Sequence, residues 1–570
     1  MIKEYIVNEV LDGFNPDIII SNKPGAIKRG LNLDLEKESG TIRVRKGSAR
    51  YGDQIEDNYS VLGLFDFTKS NGTIVPLAVS DGATNTKQVY LTAGSWTDAK
   101  TGLTVAKKMR FQNLVGYCFM TNGEEIYTSA DGITWSTTNL LNTVTITSVA
   151  YADPLVTLTV PGGHEVAVGD SITVADLAPA GYNGVKTVTA VTATTIVYSE
   201  ASLGALTDTA GSLTVQFPLA ANDILEHGNY LFLIGLKGFR SDIMWSQLPS
   251  KSGSSYVLSW KRTNNVTIET GNGEDLVGGI NYRNALYLFK PSSITKTIAP
   301  VNVNGLKELS KNVGAKSKDC ILVVGGQLLF YCQGNRNAKR GIYSYNSLAD
   351  AEPQIISEPM QPYIDGMSAT ADPVFGSINE LLIIYVGAVT NKQYGISITN
   401  CYLVFDTKTD RWLGAWSFPF AAKVMAQMVQ SNVAYLHVGD ADGKVWQLNT
   451  GYRDTVEANA GVPIAWEAVS HPLDIGRTPL GYKNNYTKRK VLNVWVLGED
   501  LAGVKFACRY DKQAALPSWN EEVGAMTSPV TQFSLTPKEA YLFQYKFSGI
   551  KKAVDSPSIR KLRIQDEQQS

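Results

Sequence analysis

The feature that most constrains the fold is an aliphatic strand pattern that recurs along the chain. Each copy is a short apolar run bounded by turn residues, and the copies are centred on Leu64, Val115, Leu231, Leu286, Leu328, Leu381 and Tyr435. Five of the six successive spacings fall between 42 and 55 residues. A repeat of about 40–50 residues with room for four strands is typical of a β-propeller. We therefore expect an all-β chain built on six or seven degenerate blades.

The clearest copies lie in residues 379–452, where apolar and polar residues alternate between Gly, Asp and Asn turn signals. Such period-two runs, rich in Tyr, Val, Ile and Trp, indicate half-buried antiparallel strands. A series of unrelated hairpins in a β-sandwich is the alternative, since the blades are matched by strand pattern rather than by identical residues.

One spacing is far too long, and a change in composition accounts for it. Residues 143–215 contain 14 Thr and 12 Val but no Arg, Trp or Phe, and they alternate strictly between turns. Removing them leaves a spacing of 43 residues, which restores the repeat. We predict a small inserted β-barrel or sandwich at residues 143–216.

The resulting organisation has five parts. We expect an N-terminal arm, the first blades, the inserted domain, the remaining blades and a C-terminal β-sandwich, with boundaries at 1–52, 53–142, 143–216, 217–452 and 453–570.

The N-terminal arm is basic. Between Lys23 and Arg50 it carries eight Lys or Arg against three Asp or Glu. It is either a solvated lead-in to the first blade or a segment that docks on an acidic neighbour or lines a path for phosphates. Spacing alone leaves both interpretations open.

Residues 127–135, YTSADGITW, resemble the Asp-box of sialidase-type propellers, with its members in the expected order: Ser129, Asp131, Gly132, Thr134 and Trp135. In such a turn the carboxylate accepts backbone N–H groups, the glycine takes a positive φ and the tryptophan packs beneath. We interpret this motif as structural.

The search for catalytic chemistry gives little. His164, His227, His437 and His471 lie far apart without zinc-ligand spacing, and nucleophile-elbow and phosphate-loop motifs are absent. Asp440 to Gly443 matches the start of a calcium loop, but a hairpin turn explains it better. Candidate carboxylates for glycoside hydrolysis, namely Glu124, Glu125, Asp406 and Asp410, cannot be paired from sequence. We expect no enzyme activity, cofactor or metal.

The net charge and the targeting signals also give little information about function. The net charge is −1, which makes no global case for nucleic-acid binding, and no apolar run reaches the ~18 residues of a membrane span. The N-terminus lacks a secretory signal, and five dispersed cysteines indicate a chain made in a reducing cytoplasm.

Four segments together resemble the tail nozzle, or stabilisation, proteins of short-tailed bacteriophages. They are the arm NKPGAIKRGLNLDLEKESGTIRVRKGSARYG, the blade segment NYLFLIGLKGFRSDIMWSQLPSK, part of the insert (GHEVAVGDSITVADLAPAGYNGVKTVTAV), and DGKVWQLNTGYRDT followed by GVPIAWEAVSHPLDIG. The insert looks like a module that recurs in phage tail and baseplate proteins.

The resemblance implies a virion structural protein in the phage tail, made in the host cytoplasm. It would form a ring with itself, expected to be a hexamer, below the portal and adaptor, and contact the head–tail connector and tail fibre or spike proteins. DNA would pass through the lumen during ejection without specific binding.

On this view the basic arm residues dock on a neighbouring tail protein: Lys28, Arg29, Arg43, Arg45 and Lys46. Reversing Arg43 and Arg45 to Glu is then expected to block assembly without unfolding the subunit. Two alternatives are kept, a glycan- or receptor-binding tail or baseplate propeller and a sialidase-like glycan hydrolase, which saturable sugar binding and glycan turnover would respectively reveal.

Overall fold

The computed structural model is almost entirely β, with 60% strand and 4% helix. It describes residues 2–7, 27–36, 41–137, 140–201, 210–252, 255–268, 271, 273–297, 305–346, 352–393, 395–451, 453–457, 460–470, 473–474, 489–499, 501, 503–510, 521–526, 530–535, 539–540, 542–551 and 558–568.

The centre of the described structure is a β-propeller, as the repeat predicts. Six blades are separate sheets. One more blade, the sixth in chain order, is a four-stranded meander that continues into a larger sheet. Numbered in chain order, blade 1 comprises Val61–Thr68, Ile74–Ser80, Thr86–Thr92 and Ser95–Leu103. Blade 2 comprises Arg110–Leu114, Tyr117–Thr121 and Ile126–Ser129, and blade 3 comprises Ala221–His227, Tyr230–Leu236, Phe239–Ser246 and Trp260–Thr267.

The remaining blades repeat this up-and-down order. Blade 4 comprises Gly278–Tyr282, Ala285–Phe289, Ile294–Thr297 and Leu306–Ser310, and blade 5 comprises Ile321–Val324, Gln327–Cys332, Gly341–Tyr345 and Gln354–Ile355. Blade 6 comprises Val374–Ile378, Leu381–Asn391, Ile396–Asp406 and Arg411–Ser417, and blade 7 comprises Ala422–Gln430, Val433–Asp440 and Val445–Leu448. Short elements flank them: Ser250–Ser252, Ser255–Val257, the 3-10 turns Lys318–Cys320 and Glu358–Met360, and the helix Gln361–Asp365.

Tight two-residue turns join the first and second strands of several blades. Arg283 and Asn284 of blade 4 have φ values of 47° and 59°, and Gly325 and Gly326 of blade 5 have 55° and 75°. Two successive positive φ angles define the hairpin turn whose twist matches that of the flanking strands. The first strands of neighbouring blades pack on one another around the ring, and that of blade 7 packs on blade 1.

The insert is a closed β-barrel. Its strands are Leu141–Ile146, Ser148–Ala152, Leu155–Thr159, Ser171–Ala175, Gly184–Val191, Thr195–Ser199 and Gly211–Gln216, with a 3-10 turn at Ala180–Tyr182. The first two stand at opposite ends of the strand order yet follow one another in sequence, so this bent strand closes the barrel. Its apolar interior is continuous with the core of blades 2 and 3.

One arginine fixes the barrel on the propeller. Arg262, on the last strand of blade 3, donates from Nη2 to Asp170 Oδ2 at 2.7 Å and from Nε to the Glu165 carbonyl at 2.7 Å. Its guanidinium also lies 4.8 Å from the centre of the Phe217 ring. Polar and apolar contacts together hold the insert in one orientation.

Two sheets form the C-terminal β-sandwich. The larger one continues from blade 6 through Ile27–Leu31 to Ile464–Ser470, Leu542–Lys551, Lys505–Tyr510 and Glu521–Ala525, with Leu473–Asp474 at its side. The other contains Leu33–Glu36, Thr41–Val44, Ser558–Gln568, Arg489–Glu499 and Val530–Ser534, with Ile2–Val7 and Glu539–Ala540 beside them. Aromatic rings fill the space between, such as Phe506 and Phe533, whose centroids lie 4.8 Å apart.

The N-terminal segment differs from the predicted lead-in arm, because its described strands are built into both other parts of the chain. Ser48–Arg50 pairs with Val445–Leu448 as an outer strand of blade 7, and Asp454–Glu457 and Ala460–Val462 follow it in the same sheet. Leu33 and Val44 are buried in the main core. Apolar residues in this basic segment therefore drive it inward.

Asn32 marks the point where the N-terminal segment crosses from one sheet to the other. Its N–H donates to the Ala415 carbonyl at 2.8 Å, and its Nδ2 donates to the Ala465 carbonyl at 2.7 Å. Its Oδ1 accepts from the Ser417 N–H at 2.7 Å. With φ of 57°, a conformation that Asn tolerates well, it ties the last strand of blade 6 to the sandwich.

Arg45 is fully buried at the same junction. Its two terminal nitrogens contact both carboxylate oxygens of Asp454, at 2.9 and 2.6 Å, and its Nε donates to Asn32 Oδ1 at 2.9 Å. Its guanidinium lies 3.8 Å from the centre of the Phe418 ring. The prediction that Arg45 docks on another protein is wrong, because this side chain is buried and paired with Asp454 of the same chain.

Replacing Arg45 with Met is expected to lower the free energy of unfolding by about 3–5 kcal/mol, because it leaves the Asp454 carboxylate buried without its partner. Urea unfolding of the purified variant measures the loss. Lys46→Met is the matched control, since Lys46 is exposed beside Arg45 and should change stability by less than ~0.5 kcal/mol. If the Arg45 variant had the wild-type urea midpoint, the contact between Arg45 and Asp454 would contribute nothing to the free energy of unfolding.

Candidate functional site: the charged mouth of the propeller channel

Charged side chains gather at the end of the propeller where the first strands of the blades begin. We call this group the channel mouth and define it by Lys108, Arg110, Asp223, Lys318 and Asp319. Arg110 opens the first strand of blade 2, and Asp319 lies two residues before that of blade 5. Asp223 lies near the start of the same strand in blade 3. The blade topology therefore brings all of these groups to one end of the axis.

Ion pairs span the channel at this end. Arg110 Nη1 lies 2.6 Å from Asp319 Oδ1, and Lys108 Nζ lies 3.3 Å from Asp319 Oδ2. In the described ring, blades 2 and 5 are separated by other blades on both sides, so this pair crosses the axis rather than joining neighbours. The ionic contact therefore bridges the hole that a propeller would otherwise leave open.

Further contacts extend the network to other blades. Lys318 Nζ lies 3.0 Å from Asp223 Oδ2 and also donates to the Gly279 carbonyl of blade 4. Lys108 Nζ donates to the Lys423 carbonyl of blade 7. Because each ammonium group binds a carbonyl as well as a carboxylate, the mouth is held by groups from most of the ring.

The electrostatics keep the crossing pair ionised. Burial alone raises the pKa of Asp319, but the charges of Arg110 and Lys108 and their hydrogen bonds outweigh it and hold the pKa well below its usual range. Burial acts on the Arg110 guanidinium in the opposite sense, yet Asp319 leaves its pKa raised. The paired charges of Arg110, Lys108 and Asp319 therefore close the mouth.

A second set of perturbed groups lies where blade 7 packs on blade 1. Burial raises the pKa of Asp66 to about 6, although its carboxylate accepts the Val429 N–H. Burial lowers the pKa of His437 to about 4, and the ring of Tyr51 lies 4.3 Å from its imidazole. His437 is fully buried in the second strand of blade 7.

The Asp-box residues form the turn after the third strand of blade 2. Asp131 Oδ1 accepts the N–H groups of Ile133 and Thr134 at 2.8 and 2.7 Å, and Ser129 Oγ accepts the Gly132 N–H at 2.8 Å. Burial raises the pKa of Asp131, but these hydrogen bonds outweigh it and the net pKa is lowered. Gly132 has φ of 77°, and Trp135 is buried in the core of blades 1 and 2.

The turn of blade 7 that resembles the start of a calcium loop is also held by hydrogen bonds to its aspartate, Asp440. Asp440 Oδ1 accepts the N–H groups of Asp442 and Lys444, both at 2.8 Å, and its Oδ2 accepts from Trp446 Nε1 at 2.7 Å. Among the described residues no group of three or more His, Cys, Asp or Glu could hold a metal ion. The turn is accounted for by its own hydrogen bonds.

The other predicted docking residues lie apart from the mouth. Lys28 and Arg29 lie in Ile27–Leu31, but their side chains fall outside the described part of the structure. Arg43 is half-buried and has a contact within the chain, whereas Lys46 is exposed. Among the described side chains of this set, that of Lys46 is exposed.

The candidate carboxylates for glycoside hydrolysis fall into two pairs, one at each end of the propeller. Glu124 and Glu125 lie in the second turn of blade 2, at the mouth end, whereas Asp406 and Asp410 flank the third turn of blade 6. Successive turns of a blade alternate between its two ends, so these pairs lie on opposite faces.

Sequence reasoning missed the mouth residues. The signal was present as charges just before or at the first strand of a blade, in KKMR at 107–110 and KSKDC at 316–320. The paired charges lie far apart in sequence, 209 positions for Arg110 and Asp319, so only the ring order of the blades shows which charges meet.

Asp319→Asn is expected to lower the free energy of unfolding by about 3–5 kcal/mol at pH 7, because Arg110 then lacks its countercharge. Since the folded-state pKa of Asp319 is depressed, the contribution is fully present above the unfolded pKa of about 3.9 and shrinks progressively as the pH falls below it, so the cost at pH 3 should be smaller than at pH 7. Urea unfolding at pH 7 and pH 3 measures both. The matched control is Asp372→Asn, whose side chain is 55% exposed; an equal cost in the two variants would contradict the closure.

Asp66→Asn is expected to stabilise the protein relative to wild type by an amount that grows from pH 4 to pH 6. The folded-state pKa of Asp66 is raised to about 6, so its favourable contribution is present below the unfolded pKa and is lost as pH rises through this window. The difference from wild type cancels the opposite effect of His437, which both proteins share. Urea unfolding at four pH values tests this, and a difference independent of pH would refute it.

In the described part of the chain, no helix is long and apolar enough to cross a membrane. No protein-family model matches the chain, and no curated protein matches it.

Proposed function

We propose that the protein is a structural subunit of a bacteriophage tail, one copy in a ring that forms a nozzle for DNA ejection. The sequence segments that resemble nozzle proteins support this proposal, as does a propeller joined to a barrel and a sandwich. Its role is architectural, so its chemistry is that of packing surfaces and fixed charges. The ring is expected to contain six subunits.

The observation that carries the proposal is the way the parts are locked together. Asn32 and Arg45 join the propeller to the sandwich, and Arg262 fixes the barrel on blade 3. A subunit that must keep its shape while DNA passes under pressure needs parts that do not hinge. Rigid coupling of this kind fits a tube wall better than a flexible receptor arm.

The closed mouth bears on where DNA would pass. Because Arg110 and Asp319 bridge the propeller axis, the conduit in the proposed ring lies between subunits and not through each propeller. Neighbouring proteins, the adaptor or connector above and a fibre or spike protein beside the ring, would meet exposed surfaces. We place Lys46 in such a contact, in place of the buried Arg45.

The test is cryo-electron microscopy of the purified chain at high concentration, with light-scattering mass on the same sample. We expect rings with an open axial channel and a mass near six times 62.0 kDa. If the chain alone stays monomeric, the same measurement is repeated with the connector ring of its phage as template.

Lys46→Glu is the companion variant, expected to fold normally and to weaken attachment to the connector or neighbouring tail protein by about tenfold or more. The control is Lys408→Glu, a reversal at an exposed turn of blade 6. Failure of the wild-type chain to form rings in either format would overturn the proposed function.

A further inference from the structure

We propose that a cleft on the propeller face opposite the mouth binds a saccharide. The cleft lies between blades 4, 5 and 6 and has a volume of about 610 Å³. Small-molecule sites commonly fall between about 300 and 1,000 Å³. This binding activity goes beyond the architectural role proposed above and does not depend on it.

The cleft walls are preformed. Tyr282 OH donates to the Gly326 carbonyl at 2.9 Å, which joins the first turn of blade 4 to that of blade 5. Gln327 Nε2 donates to Asp410 Oδ1 at 2.9 Å, which joins blade 5 to the third turn of blade 6. Turns that are hydrogen-bonded to one another before a ligand arrives lose little conformational freedom on binding, so little binding free energy is lost in ordering them.

The cleft is lined by polar side chains that include both hydrogen-bond donors and hydrogen-bond acceptors. It includes the guanidinium of Arg283, the amides of Gln327, Asn346 and Gln354 and the carboxylates of Glu352 and Asp410. A sugar hydroxyl both donates and accepts hydrogen bonds, so a ring with several hydroxyls can pair with carboxylate and amide groups at once. This mixture of close-set donors and acceptors is what a polyhydroxylated ligand requires.

The aromatic residues form the buried base of the cleft and leave no open apolar pocket between their rings. Tyr282, Phe405 and Trp412 line the cleft but are only 2–3% exposed, and Trp412 Nε1 already donates to the Ile356 carbonyl at 2.8 Å. A peptide held by an apolar side chain would need an open pocket between such rings. A covered apolar floor with polar walls favours a saccharide over a hydrophobic peptide.

Saturation-transfer NMR on the full chain tests the proposal with a defined set of probes: glucose, galactose, N-acetylglucosamine, N-acetylneuraminic acid, maltose and lactose. At least one probe is expected to show transfer and millimolar or tighter affinity, and its concentration should stay constant because binding occurs without hydrolysis. Absence of transfer from the whole set overturns the proposal, as does binding of a hydrophobic peptide library in the cleft without any sugar.

The double variant Glu352→Gln and Asp410→Asn should lower the affinity for that probe at least tenfold while keeping the wild-type unfolding midpoint. Glu380→Gln is the matched control, since this exposed carboxylate lies on a turn of blade 6 on the same face but outside the cleft lining. Equal affinity in the double variant and the control would show that the sugar binds elsewhere. The readout is independent of ring assembly, so failure here and failure of the proposed function are distinguishable.

Discussion

The buried pair between Arg45 and Asp454 is the contact on which the arrangement of the whole chain depends. It joins a residue near the N-terminus to one that follows the last blade, 409 positions later. A buried ion pair contributes little stability over an apolar replacement, but removing one partner is costly because the other stays buried and charged. Its role is therefore to specify one geometry, in which the N-terminal segment, the propeller and the sandwich meet at a single junction.

The channel mouth uses the same physics at a second place. Arg110 and Asp319 come from distant blades and neutralise each other across the axis, with Lys108 and Lys318 completing the network. In both places a cation that looks available in the sequence is satisfied inside the fold. The two faces of the propeller then differ: one is closed by internal charge pairs, and the other carries an open cleft whose polar walls face solvent.

These differences shape the functional conclusions. A closed axis directs a proposed DNA path to the space between subunits, while rigid coupling of the three parts suits a load-bearing ring. The saccharide site that we propose between blades 4, 5 and 6 would add a contact with a glycosylated surface to the proposed structural role. The two ideas rest on separate residues, so either can stand without the other.

The sequence by itself determined the all-β class, the blade repeat, the presence of an inserted small domain and the Asp-box turn, because alternation of apolar residues and turn chemistry are local properties. It misjudged Arg45 and the N-terminal segment, and it could not find the mouth or the cleft. Burial and charge pairing depend on which strands become neighbours across hundreds of residues. Only the tertiary structure decided those neighbours, since the free energy of a charged group is set by the partners that surround it in the folded chain.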